Sequence, residues 1–168
     1  MADHGHHTCS CCAEPQSGPP MSYGAPAPVT WKGRYAWRRD SELTADQCMI
    51  KGKHFFVHGL VEIPVLDSDE VFSRGVWVSL SEPNFARTHD LWEDPAREQE
   101  PPYFGRLSTE LPVYAESTLN LKTHVRTRAV GRRPLIELEP TGRPLAADQR
   151  EGITMARVQE LAGLLLRG

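Results

Sequence analysis

Apolar and polar residues alternate most clearly over His54–Val65, HFFVHGLVEIPV. Phe55, Val57, Val61, Ile63 and Val65 fall on one set of alternate positions, and His54, His58 and Glu62 on the other. A period of two sends the sets to opposite faces, so the run predicts a strand with one apolar and one polar face. Val71–Leu80 alternates again, with Arg74 on the same parity as Phe72, Val76, Val78 and Leu80. The short polar turn Asp67–Glu70 between these runs predicts an antiparallel pair.

The period then changes. Ser81-Glu82-Pro83 supplies a capping hydroxyl, a first-turn acid and an early proline, and Phe85, Thr88, Leu91 and Trp92 follow at helical spacing. Asp94-Pro95 ends that helix, and residues 95–102 read as a charged loop closed by prolines. Tyr103–Ser108 and Thr118–Thr127 predict two more strands, separated by a bend at Leu111-Pro112. Pro134–Glu139 predicts a further one, with Ile136 and Leu138 inward. Pairing Val125 with Ile136 places His124 opposite Glu137 and Lys122 opposite Glu139, so the apolar and polar faces of both strands agree. Pro144–Glu151 reads as a short helix stopped by Gly152. Thr154 caps a last helix with the stripe Met155, Val158, Leu161, Ala162 and Leu165.

Upstream of the first long strand the pattern is weaker. Residues 1–28 predict a flexible His- and Cys-rich start and a Pro/Gly-rich loop, and residues 29–168 the core domain. Trp31, Tyr35 and Trp37 mark where the chain joins that core and offer an aromatic loop as a working surface. Ser41–Asp46 predicts one short helical turn. Consecutive strands with helices at the end of the chain predict a single α+β domain: an antiparallel sheet, two or three helices and an N-terminal Cys-rich knuckle.

At 168 residues the chain suffices for one domain with a real core. A net charge of −3 supplies no basic footprint for nucleic acid. No apolar run approaches the ~20 residues that cross a bilayer. The opening MADHGHHTCSCC lacks the basic and apolar regions of a secretory signal, which makes the cytoplasm the expected location.

Three of the four cysteines cluster at Cys9, Cys11 and Cys12. The C-x-x-C spacing of Cys9 and Cys12 lets two thiolates and the intervening turn wrap one tetrahedral ion. It is half a zinc site. Cys48 is the natural third ligand and His54, six residues further on, the fourth, with His6, His7 and Cys11 as competitors. The expected cofactor is a structural Zn(2+) held by Cys9, Cys12, Cys48 and His54. A redox-sensing thiol cluster is the competing chemistry for the same cysteines, although no strand precedes them and no helix follows, as thioredoxin-like motifs require. His58, Glu62, His124 and Glu137 carry the groups of an acid–base cluster, the basis of an alternative hydrolase reading. A solvated strand face with cross-strand ion pairs explains the same residues. No phosphate-cradling Gly loop, H-E-x-x-H or G-x-S-x-G accompanies them.

Several segments taken in order carry a resemblance. These are Cys9–Cys12, Cys48-Met49-Ile50 before His54-Phe55-Phe56-Val57, Val61–Val65, Gly75–Leu80, Tyr103-Phe104-Gly105, Thr118–Lys122, Arg133-Pro134 through Glu139-Pro140, and Pro144–Thr154. In these the chain resembles the bacterial domain-of-unknown-function family 2199, from about His7 to Leu166. The resemblance implies one domain opening with a C-x-x-C knuckle and brings no activity with it. Where that family continues its knuckle with Gly and then His, this chain has Ala13 and Pro15-Gln16, which leaves the fourth ligand to His54 or the N-terminal histidines. The reading is a non-catalytic domain with a structural zinc knuckle that binds a protein or small-molecule partner.

Overall fold

The alternation over residues 54–65 becomes the longest strand of the fold, and the rest of the chain is laid around it. The computed structural model describes His7–Thr8, Pro15–Gln16 and residues 21–167. The first five strands are β1 (His7–Thr8), β2 (Pro15–Gln16), β3 (Ser22–Tyr23), β4 (Glu42–Leu43) and β5 (Gln47–Ile50). The next five are β6 (His54–Pro64), β7 (Val71–Leu80), β8 (Tyr103–Leu107), β9 (Lys122–Arg126) and β10 (Leu135–Leu138). The helices are α1 (Glu82–Asp90), α2 (Pro144–Glu151) and α3 (Met155–Arg167). This is a single α+β domain.

Strands β6 to β10 run up and down as a meander, and β10 returns to pair with β6, closing a five-strand barrel. The first and fifth strands of a meander point the same way, so the closing pair is parallel, with Leu135 beside Leu60. Strand β3 also runs parallel to β7. The expected antiparallel sheet is therefore a mixed one, and closure by an odd number of strands is the physical reason. The hairpin register agrees with the sequence pattern: Val125 pairs with Ile136 and His124 with Glu137.

The barrel is filled by the apolar parity of its strands. Val61 and Ile63 of β6, Phe72, Val76 and Val78 of β7, Leu107, Val125 and Ile136 are all buried in one cluster. Helices α2 and α3 add Leu145, Val158 and Leu161 to it. Two glycines let strands approach where the barrel curves. A Cβ on Gly59 would lie 2.5 Å from Ile136 Cδ1, and one on Gly105 would collide with Val78 Cγ1 and the Ser79 carbonyl.

The opposite face of β5, β6 and β7 is not wet. Tyr35, Cys48, Ile50, Phe56 and Trp77 form a second apolar cluster there, covered in part by Ala25, Trp31 and Leu43. Ser41–Asp46 forms no helical turn. The Thr44 hydroxyl accepts from the backbone N–H groups of Asp46 at 3.3 Å and Gln47 at 3.0 Å, folding the chain back so that Leu43 pairs with Cys48. Strand β9 is likewise shorter than its alternation. Asn120 takes a left-handed φ of 65°, and the pairing begins only at Lys122.

Candidate ligand cleft

Helix α1 is set by its start. Ser81 Oγ accepts from the Asn84 N–H at 3.3 Å, and Phe85 packs on Phe55 of β6 with ring centroids 5.0 Å apart. After Leu91 and Trp92, Asp94 Oδ1 accepts from Ala96 N at 2.9 Å and caps a short 3-10 turn, Pro95–Gln99. That turn points Arg97 into the loop between β9 and β10.

Arg97 is buried and acts as a clamp. Its guanidinium donates to the carbonyls of Arg128 (2.8 Å), Trp92 (3.1 Å), Ala129 (2.8 Å) and Arg132 (2.9 Å). It also lies 5.5 Å from the centre of the Trp92 ring. One side chain thus ties the end of α1 to the β9–β10 loop. Between them opens a cleft of about 330 Å³. Its apolar lining is Val57, Leu91, Trp92, Tyr103, Val125, Val130 and Pro134, and its polar lining includes Asp46, His58, Glu93, Glu100 and Arg133.

Most of those polar groups are tied to one another. The Tyr103 hydroxyl donates to Glu100, and Arg87 Nη2 meets the same carboxylate at 2.8 Å. The Arg87 bond, then the Tyr103 bond, hold Glu100 down at about 2, while burial and then the Glu100 bond push the phenol up. Arg133 pairs with Asp46 at 3.0 Å. His58 is only 6% exposed, and its Nδ1 donates to the Ala45 carbonyl at 2.9 Å. Its Nε2 has no partner among the described residues. Burial keeps the imidazole below its ordinary pKa.

The expected zinc ligands divide. Cys9 and Cys12 lie outside the described residues. Cys48 is 1% exposed within the second apolar cluster, and that burial pushes its thiol up to about 12. His54 is exposed at the start of β6. The pairings of Cys48 with Phe56 and Ile50 with His54 put Cys48 and His54 on one face of the β5–β6 ladder, one diagonal step apart. A zinc-bound cysteine is a thiolate, so an ion there would have to overcome the apolar surroundings of Cys48. No group of three or more metal-binding side chains occurs among the described residues.

The four acid–base residues do not converge. His58 faces the cleft. Glu62 pairs with Arg128 at 2.8 Å, Glu137 with Arg126 at 2.7 Å, and His124 with Glu139 at 3.2 Å. The Glu137 and His124 pairs are exposed partners of the kind a solvated strand face carries, whereas the Glu62 pair ties β6 to the half-buried Arg128 of the β9–β10 loop. In the aromatic loop, Tyr35 is buried with Trp31 against its edge, and Trp37 stands 92% exposed.

Sequence reasoning missed Arg97, which it left in a charged loop, and treated His58 as an ordinary outward position. Register offered a signal for His58, because it falls opposite Trp77 once β6 and β7 are paired. For Arg97 there was none, because its partners are main-chain carbonyls, three of them more than thirty residues away.

Residues 8–153 match the model of a family described as an uncharacterized protein conserved in bacteria, DUF2199. The chain belongs to that family. No curated protein matches it, and no solved structure does. The DUF2199 match takes in the whole barrel, the cleft lining and α2, and stops at Ile153, before α3. No described helix is long and apolar enough to cross a membrane.

Proposed function

We propose that the chain is a non-catalytic binding module that takes a small molecule with an apolar body into the cleft beside α1, and that an N-terminal zinc knuckle braces it. The observation that carries the cleft reading is its chemistry: an apolar floor of Val57, Leu91, Trp92 and Val125 with polar groups gathered around it. A concave site of this size with a few convergent polar groups is the usual form of a ligand pocket. The internal ties of Glu100, Tyr103 and Arg97 favour binding over catalysis, since these groups are held in place rather than poised to exchange protons. The cytoplasm is the compartment in which the reduced cysteines of this reading would persist.

The zinc part of the reading rests on the C-x-x-C of Cys9 and Cys12, with Cys48 and His54 on one face of the β5–β6 ladder as the remaining ligands. A ligand-observed NMR fragment screen on the full chain tests the cleft. Fragments with aromatic or alkyl bodies should shift the Trp92 indole signal, and Val130→Trp, which fills the cleft from its exposed rim, should abolish their binding. Hits that leave Trp92 unshifted and bind Val130→Trp equally well would remove the cleft from the proposal. Native mass spectrometry tests the knuckle: one zinc per chain is expected, and a folded, metal-free chain after purification without chelator would remove it.

A further inference from the structure

Arg74 belongs to the inward parity of β7, between Phe72 and Val76, and is only 6% exposed. A buried guanidinium ordinarily meets a carboxylate or several carbonyls, because leaving its charge and five donors unpaired is costly. Arg97 in this same protein satisfies that rule. Arg74 does not. Its Nε is buried with no hydrogen-bond partner among the described residues, and the titratable side chains that bear on it are the neutral phenols of Tyr114 and Tyr23 rather than a carboxylate. Tyr23 sits beside it across the β3–β7 pair, with the guanidinium 6.0 Å from its ring centre. The Tyr23 hydroxyl is a second buried group without a partner among the described residues. The Tyr114 hydroxyl is already committed, donating to Asp148 at 2.8 Å.

Two buried polar groups left unpartnered side by side, one of them cationic, ask for an acceptor that is itself anionic. We propose that Arg74 and Tyr23 bind the carboxylate of a small molecule at the β3 side of the barrel. The edge of a guanidinium formed by Nε and one Nη matches the two oxygens of a carboxylate, and a phenol hydroxyl can donate to either of them. A monoanion matches the single cation. A dianionic phosphate would leave one buried negative charge uncompensated. This site is separate from the cleft beside α1, whose lining contains neither residue.

The test is thermal unfolding of the full chain, with isothermal titration alongside, using sodium acetate and sodium phosphate at constant ionic strength. Acetate should raise the wild-type melting temperature saturably and bind at about one per chain. Arg74→Met should stay folded, since it removes a buried charge at similar length. It should lose the acetate response. Arg74→Lys keeps the charge without the fork and should bind about tenfold more weakly. Tyr23→Phe should weaken binding while leaving the unfolding cooperative. The proposal is overturned if wild type gives no saturable response, if Arg74→Met responds as strongly, or if phosphate binds more tightly than acetate.

Discussion

The imidazole of His58 lies flat on the indole of Trp77, with ring centroids 4.8 Å apart and planes 10° from parallel. A carbonyl can only accept, so the contact with Ala45 fixes the proton on Nδ1 and leaves Nε2 bare. A second proton would put a charge between an indole and the packed strands. Burial, the largest influence, therefore holds the pKa below 6.5.

That shift sets a sign. Below pH ~6.5 the unfolded chain protonates this histidine while the folded chain resists, so stability falls with pH. The loss begins near the unfolded value, continues down to the folded pKa and then levels off. Its steepest slope is about 1.4 kcal/mol per pH unit for one proton. Urea midpoints from pH 7.5 to 5 should decline in wild type, and His58→Gln should flatten that part of the profile. An unchanged slope in the variant would assign the acid sensitivity elsewhere.

Arg97 makes a different prediction, because its partners are main-chain oxygens rather than a charge. Arg97→Ala leaves the carbonyls of Trp92, Arg128, Ala129 and Arg132 without their donor. The expected destabilisation is about 3 kcal/mol, from buried acceptors losing charged donors. Hydrogen exchange should speed up over residues 128–132 before the barrel strands change, since the clamp secures that loop to the end of α1. Arg97→Lys should recover less than half, as a single ammonium cannot span four carbonyls. Equal exchange in the variant would show that the loop holds its shape unaided.

The alternations that named β6, β7 and the β9–β10 register were legible because each strand has one face toward the barrel interior. A slip by one residue would have buried His124 and exposed Val125. Closure was not legible. Alternation tells which face is inward but not whether the sheet's two edges meet, and only the pairing of Leu135 with Leu60 decides that. The second apolar cluster was hidden for a similar reason. Cys48 sits on a strand whose partner's other face already accounts for the hydrophobic pattern, so its burial depends on residues 25–43 folding over it. The cleft was legible only in parts: α1 and its cap were read from Ser81-Glu82-Pro83, whereas Arg97 acts through backbone partners that no side-chain pattern records.

Closure also makes Gly105 sensitive. Its absent side chain lets β8 lie against Val78 and the Ser79 carbonyl of β7, and a methyl group there would meet backbone that cannot swing away. Gly105→Ala should destabilise by about 1–3 kcal/mol, the usual range for overpacking, despite the alanine's better fit to strand entropy. Chemical denaturation of the variant checks this. Gly142→Ala, where nothing lies within 4 Å of the added carbon, is the control and should change stability little.

Cys48 gives the sharpest test of the metal reading. As a small apolar residue among Tyr35, Ile50, Phe56 and Trp77, its thiol stays protonated, pushed up to about 12, and a disulfide reagent needs the thiolate. Without a metal, Cys48 should therefore stay silent until the protein unfolds, and a chelator should not change that. As a zinc ligand it would be a thiolate already, shielded by the ion. Chelation should then release the Cys9 and Cys12 thiols to react at once, loosen the β4–β5 hairpin and lower the melting temperature. Cys48→Ala separates the two outcomes. In an apolar role it shrinks one side chain and should cost about 1–2 kcal/mol with metal content unchanged. In a ligand role it should lower the bound zinc as well, and metal analysis of the purified variant reads that difference directly.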